Sequence, residues 1–184
     1  PQEYCDEFAE RFKDLIPLLG LKKDIHFIRT SSEIHKKAAQ ELWCRCKSAG
    51  YIEKKLYKIK YCVGCELERT DSELSNGCCV LHPDQKLEIR EEENYFFLFS
   101  KFGDKLNDLY QTKNPFVIPE SRLNEVVALI ERGLEDFSIS RLKEKMPWGV
   151  SVPNDDKHVM YVWFDALTNY ISTLGWPDNI KKFE

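Results

Sequence analysis

Apolar side chains recur every three or four residues at Tyr4, Phe8, Phe12, Leu15 and Leu19, and the run stops at Gly20. That spacing predicts an amphipathic helix closed by a glycine. HFIRT (26–30) is short, apolar and β-prone, and predicts a buried strand. Thr30 and Glu33 then form a capping-box pattern ahead of a second helix. Its stripe is Ile34, Ala38, Leu42, Cys46 and Ala49, with Gly50 at its end.

The middle of the chain changes period. YIEKKLYKIKYC (51–62) places Tyr51, Leu56, Tyr57, Ile59 and Tyr61 as for one or two strands of a small sheet, and KLEIREE reads as another short strand. Tyr95, Leu98, Phe99, Phe102, Leu106 and Leu109 return to helical spacing. A further helix starts at Pro119, a favoured first-turn residue, with Leu123, Val126, Val127 and Ile130 inward and Gly133 at its end. FSISR (137–141) predicts a strand. HVMYVWF (158–164) predicts a strand buried on both faces. Asp165 is placed to cap the helix ALTNYISTL, which Gly175 ends. The two ends therefore read as α/β and the middle as an insertion, with no repeat or low-complexity tract.

A length of 184 residues suits one or two domains with a real core. The 42% hydrophobic and 32% charged composition places the chain among soluble globular proteins. Net charge is −4, so the bulk charge does not call for nucleic acid, DNA included, although a local basic patch is compatible with it. PQEYCDEFAERF is too charged for a secretory signal, and no apolar run is long enough to cross a membrane. Seven cysteines, four at metal-ligand spacing, point to a reducing cytoplasmic setting rather than a disulfide framework. The chain begins without methionine and ends on NIKKFE, which is expected of a piece of a longer protein.

Within YCVGCELERTDSELSNGCCVLH, Cys62 and Cys65 form one x₂ pair, and Cys79 and His82 form another. Three thiolates and an imidazole make a closed tetrahedral set that favours Zn²⁺ in a structural role, because no position is left for water. The alternative is four free side chains that happen to lie close in sequence. Cys78 competes with Cys79, but only Cys79 keeps the C-x-x-H spacing. Cys5, Cys44 and Cys46 read as buried thiols on helices.

The second informative stretch is VMYVWFDALTNYISTLG. Trp163, Ala166, Leu167 and Tyr170 fall on nearly one side of a strand-to-helix corner. Ligands of α/β sheets bind beyond the carboxyl ends of strands. An aromatic apolar pocket there suits a thioether side chain; the alternative is ordinary core packing. Arg141 ends a predicted strand on the same side. It can bind an anionic phosphate or form a surface salt bridge.

These stretches taken together, EENYFF, IPESRLNEV, FSISR and HVMYVWFDALTNYISTLGWP after a Cys₃His knuckle, closely resemble the methionyl-tRNA synthetase family. FIRTSSEIHKKAAQELW resembles the segment before the knuckle in that family, so the likeness covers nearly the whole chain. It implies a class I aminoacyl-tRNA synthetase that activates methionine with ATP and Mg²⁺ and transfers it to tRNA(Met). The implied fold is a split Rossmann catalytic domain interrupted by a zinc-knuckle insertion: residues 1–50 end the first half, 51–119 are the connective-peptide insertion, and 120–184 begin the second half. It assigns Trp163, Ala166, Leu167 and Tyr170 to the methionine pocket, Arg141 to charge stabilisation at the reacting phosphate, and Cys62, Cys65, Cys79 and His82 to structural zinc.

The insertion departs from the family pattern at YKIKYC and at Leu98, where a basic residue is frequent. No HIGH-like or KMSKS-like signature is present. The acidic motif for the methionine amino group is expected before Pro1, and the anticodon-binding domain after Glu184. The isolated chain is therefore expected to be inactive. The competing reading is a non-enzymatic, zinc-stabilised module that docks RNA or protein through Lys54, Lys55, Lys58 and Lys60 beside Tyr51, Tyr57 and Tyr61. The same lysines also suit a solvated strand face.

Overall fold

At the N-terminal end helices form where the pattern puts them, but they bury other faces. The computed structural model describes residues 2–21, 25–65, 67–69, 73–113 and 115–183. Helix α1 spans Gln2–Lys13 and α2 Leu15–Leu18, and Gly20 takes a positive φ of 65°. Ala9 is the only buried residue of α1; Tyr4, Phe12, Leu15 and Leu19 are exposed. HFIRT is not a strand. It has no strand partner among the described residues, and Phe27 and Ile28 are exposed. A strand needs a neighbour to take its backbone hydrogen bonds, and local β propensity cannot replace one.

Helix α3, Glu33–Ser48, is capped by Ser32 rather than Thr30: the Ser32 Oγ accepts from the His35 amide at 3.3 Å. Its buried face is His35, Ala38, Ala39 and Trp43, so the stripe is rotated from the predicted one, and Ile34 is 70% exposed. The fully buried Ala38 and Ala39 present no bulk on this face, and Trp43 meets Phe164 edge-on at 5.3 Å between ring centroids.

The chain forms two compact units, Pro1–Gly50 with Ile139–Glu184, and Tyr51–Ser138. By packing, residues 120–138 go with the middle unit.

In that unit β1 (Ile52–Cys62), β2 (Leu67–Arg69), β5 (Glu88–Phe97) and β6 (Phe137–Ser138) form an antiparallel sheet of order β2-β1-β5-β6, while β3 (Leu74–Ser75) pairs with β4 (Cys78–Cys79). β1 and β5 run in register from Ile52↔Phe97 to Tyr61↔Glu88. This pairing overrides the helical spacing read from Tyr95. Residues 93–97 extend β5, a 3₁₀ turn covers Phe99–Phe102, and α4 starts only at Gly103, running to Thr112. The reason is an aromatic cluster: the Phe97 ring lies 5.3 Å from that of Phe102 and 5.8 Å from that of Phe137. Helix α5, Glu120–Glu131, follows Pro119 as predicted, with Leu123, Val126, Val127 and Ile130 half-buried and Gly133 at φ 92°.

The flanking unit carries β7 (Ser140–Leu142), β8 (Ser151–Val152) and β9 (Asp155–Met160) in the order β7-β9-β8. FSISR is thus two strands in two sheets, broken at Ile139. The predicted strand 158–164 stops at Met160. His158, Val159 and Met160 are consecutively buried, as a strand covered on both faces requires. The chain then turns into α6 (Val162–Asp165), a 3₁₀ turn at Ala166–Thr168, and α7 (Asn169–Ser172); α8 spans Ile180–Phe183. Every strand pair among the described residues is antiparallel.

Candidate functional site

Cys62 is the last residue of β1, and residues 63–65 turn directly after it. Cys79 ends β4, and His82 bridges back to it, its amide donating to the Cys79 carbonyl at 3.0 Å. One ligand atom from each of Cys62, Cys65, Cys79 and His82 can be chosen so that all lie within 4.8 Å of one another. The His82 Nδ1 is 3.7 Å from Cys62 Sγ and 3.1 Å from Cys65 Sγ, and the Cys65 and Cys79 sulfurs are 3.5 Å apart. A tetrahedral zinc with sulfur ligands separates its donors by about 3.5–3.8 Å, so the four residues fit such an ion. Cys78 pairs with Ser75 in the β3–β4 ladder and is not part of the cluster.

Burial pushes the Cys79 thiol up, but the Leu81 amide, Cys65, His82 and Cys62 outweigh it and bring its pKa down to about 6. At Cys65 an Arg69 hydrogen bond favours the thiolate, and desolvation with the neighbouring Cys79 and Cys62 leaves the thiol raised overall. Gly64 is needed here for space: a Cβ at that position would lie 2.5 Å from His82 Cδ2. The glycine between the two cysteines was the available sequence signal for this packing requirement.

At the second site, Tyr161 is extended and occupies the N-cap position of α6; its carbonyl accepts from the Phe164 amide at 2.9 Å. Trp163 therefore lies on the helix rather than at the strand end, and Asp165 lies within the first turn instead of capping it. Phe164, Asp165, Thr168 and Ser172 are buried. Trp163, Leu167 and Tyr170 face outward, 62%, 58% and 72% exposed, with Ala166 half-buried between them. Among the described residues, Trp163, Leu167 and Tyr170 are thus not packed into the core. A side chain as large as Trp163 kept in solvent on a face shared with Leu167 and Tyr170 is an unfilled apolar surface.

A cavity of about 240 Å³ adjoins the corner, lined by Met146, Trp148, Met160, Tyr161, Val162 and Asp165 among others. The Asp165 carboxyl is pushed up to about 6 by desolvation, partly offset by the Ala166 amide and its own, and its Oδ1 has no hydrogen-bond partner among the described residues. Arg141, on β7, is half-buried. Its Nη1 donates to the Ser140 carbonyl at 2.8 Å, and its guanidinium carbon lies 4.1 Å from the centre of the Tyr161 ring. Sequence spacing marked Asp165 only as a helix cap and gave no reason to single out Tyr161.

The family model described as "tRNA synthetases class I (M)" matches residues 1–184. The chain belongs to this family. Among its relatives, the methionine–tRNA ligase of Nostoc sp. is 43% identical over 185 aligned positions, which take in 100% of this chain and 34% of that protein. The methionine–tRNA ligase of Thermotoga maritima is 44% identical over 186 positions, covering 100% and 29%. The crystal structure of Mycobacterium tuberculosis methionyl-tRNA synthetase bound by methionyl-adenylate superposes with a TM-score of 0.75 at 39% identity, over 94% of this chain and 34% of that one. The free-state structure of the same enzyme gives a TM-score of 0.76 at 36% identity, over 97% and 36%. This class I synthetase chain thus spans about a third of the length of the curated relatives it matches.

Proposed function

We propose that this chain is the methionine-side segment of a methionine–tRNA ligase that uses ATP with Mg²⁺ and tRNA(Met) in the cytoplasm. The observation that carries the reading is the outward apolar face of Trp163, Leu167 and Tyr170 on a class I synthetase chain. In this reading the methionine side chain packs on that face above Ala166, where the aromatic rings offer its sulfur favourable contacts. The methionine carboxylate attacks the α-phosphate of ATP. A carboxylate–phosphorus bond forms, the bond to the β-phosphate oxygen breaks, and pyrophosphate leaves. The tRNA 3′-terminal hydroxyl then attacks the aminoacyl carbonyl and releases AMP. Arg141 stabilises the charge that builds on the phosphate oxygens, an electrostatic role that a fixed cation fills without reorganising.

Cys62, Cys65, Cys79 and His82 hold Zn²⁺ as a structural ion, and the donor set with four protein ligands supports that role over a catalytic one. Residues 1–50 and 120–184 are read as parts of the two Rossmann halves and 51–119 as the insertion, with α5 packing on the insertion side. The rival docking module draws less support. Lys54 pairs with Glu93 at 2.8 Å, Lys58 with Glu91 at 3.6 Å and Lys55 with Asp136 at 3.2 Å, so carboxylates largely balance the charge of β1. No described helix is long and apolar enough to cross a membrane.

The test is Trp163→Ala in the complete gene product. Losing the apolar contact of one large side chain is expected to raise the KM for methionine about 10- to 100-fold while the KM for ATP changes little. An unchanged methionine KM would refute the pocket assignment.

A further inference from the structure

We propose that Tyr161 is a positioning residue for the activation step, its ring face fixing the Arg141 guanidinium where the phosphate charge develops. The inference rests on the role given above to Arg141, but its geometry is independent of that role.

Arg141 stands opposite Val159 in the β7–β9 ladder. Tyr161 follows Val159 by two positions, so the pleat puts it on the same face as Arg141, at the diagonal where long and aromatic side chains reach one another. The ladder continues that far, because the Tyr161 amide donates to the Ile139 carbonyl at 2.8 Å. The guanidinium lies 4.1 Å from the ring centre, within the range of a cation–π contact, and its Nη1 is tied to the Ser140 carbonyl.

Beneath this pair the sheet is tightly packed. Val159, Ser140 and Met160 are buried, and a Cβ on Gly149 would lie 3.1 Å from the Val159 Cβ. The backbone of Tyr161 is therefore fixed on one side by the ladder and on the other by the turn into α6. An arginine side chain has several rotatable bonds, and a catalytic cation must not spend its time sampling them. The aromatic face and the backbone carbonyl together limit that freedom. The backbone of Tyr161 also begins the helix that carries Trp163, and its side chain makes no capping bond there, so that start does not depend on the ring.

The experiment uses methionine-dependent ATP–pyrophosphate exchange by the complete gene product with Tyr161→Leu, Tyr161→Phe, Arg141→Ala and the Tyr161→Leu/Arg141→Ala double variant. Tyr161→Leu is expected to lower kcat roughly 3- to 30-fold with little change in the methionine KM, and Phe, which keeps the ring face, to restore most of the loss. In the Arg141→Ala background the Leu substitution is expected to change kcat by less than about twofold, because the partner is already gone. If Leu has the same effect in both backgrounds, or Phe is as impaired as Leu, the positioning role is overturned. If Arg141→Ala alone leaves kcat intact, it is the role of Arg141 that falls. Should the Leu variant not fold, progressively fluorinated phenylalanines at position 161 keep the shape and weaken the ring face. A stepwise fall in kcat is then expected, and a flat series overturns the proposal.

Discussion

Replacing Cys65 with serine in the complete gene product is expected to release the bound zinc and unfold the knuckle, while the affinity for methionine is largely kept. Between Cys62 and Cys79 the apolar residue Val63 points into solvent, as do Val80 and Leu81 just beyond. Among the described residues between Cys62 and His82, only Cys62 and Cys79 are buried, with Leu74 half-buried, so little apolar packing holds the strand ends. For a structural zinc the apparent binding free energy is about 10–16 kcal/mol, and in a small site of this kind it is largely folding energy. Losing one ligand of four should therefore raise amide exchange across residues 62–88 by at least about a hundredfold. Chelation of the wild-type protein should do the same and be reversed by added zinc. The Trp163 face belongs to the other compact unit, whose core of Trp43, Ile139, Val159 and Met160 contains no knuckle residue. Exchange measured by mass spectrometry beside a methionine titration separates the two effects. Methionine binding lost with the knuckle still protected would contradict the structural role.

The second large effect is expected at Arg141. Arg141→Ala should lower kcat for pyrophosphate exchange about 10²- to 10³-fold, the usual loss when one preorganised charge-stabilising group is removed. The methionine KM should move far less, because Arg141 does not belong to the apolar face. Arg141→Lys should recover only part of the rate. A lysine ammonium is a point charge on a flexible stem and lacks the planar group that lies over the Tyr161 ring. Steady-state kinetics with methionine and ATP varied separately give this split. A fall in methionine affinity with kcat unchanged would mean that Arg141 binds substrate rather than the developing charge.

Much of the site was legible because its signals are local. The two x₂ pairs fix where four ligand atoms can meet, and the structure brings those four together. The spacing 163–167–170 fixes a common helix face whatever lies around it. What spacing could not say is which way that face points, because an apolar stripe reads the same in a core as on an exposed face. The misreadings have a common physical origin in partners distant in sequence. Residues 93–97 carry helical spacing, yet they pair with β1 from more than thirty residues upstream, and Phe137 completes the cluster that holds them. FSISR looks continuous, but Phe137 pairs with Phe97 while Arg141 pairs with Val159. In α3 the capping serine and the buried Trp43 set the phase of the helix against its most apolar predicted position, Ile34. Tyr161 remained invisible because its importance lies in a cross-strand diagonal, which depends on a register that one sequence does not display.

The most direct test of the central claim is amino-acid-dependent ATP–pyrophosphate exchange by the complete gene product, assayed with each of the standard amino acids in turn. Exchange driven by methionine, and lowered about 10²- to 10³-fold in the Arg141→Ala enzyme with a matching loss of tRNA(Met) charging, is the expected result. Exchange driven by another amino acid, or none with methionine while zinc is bound and the protein is folded, would contradict it.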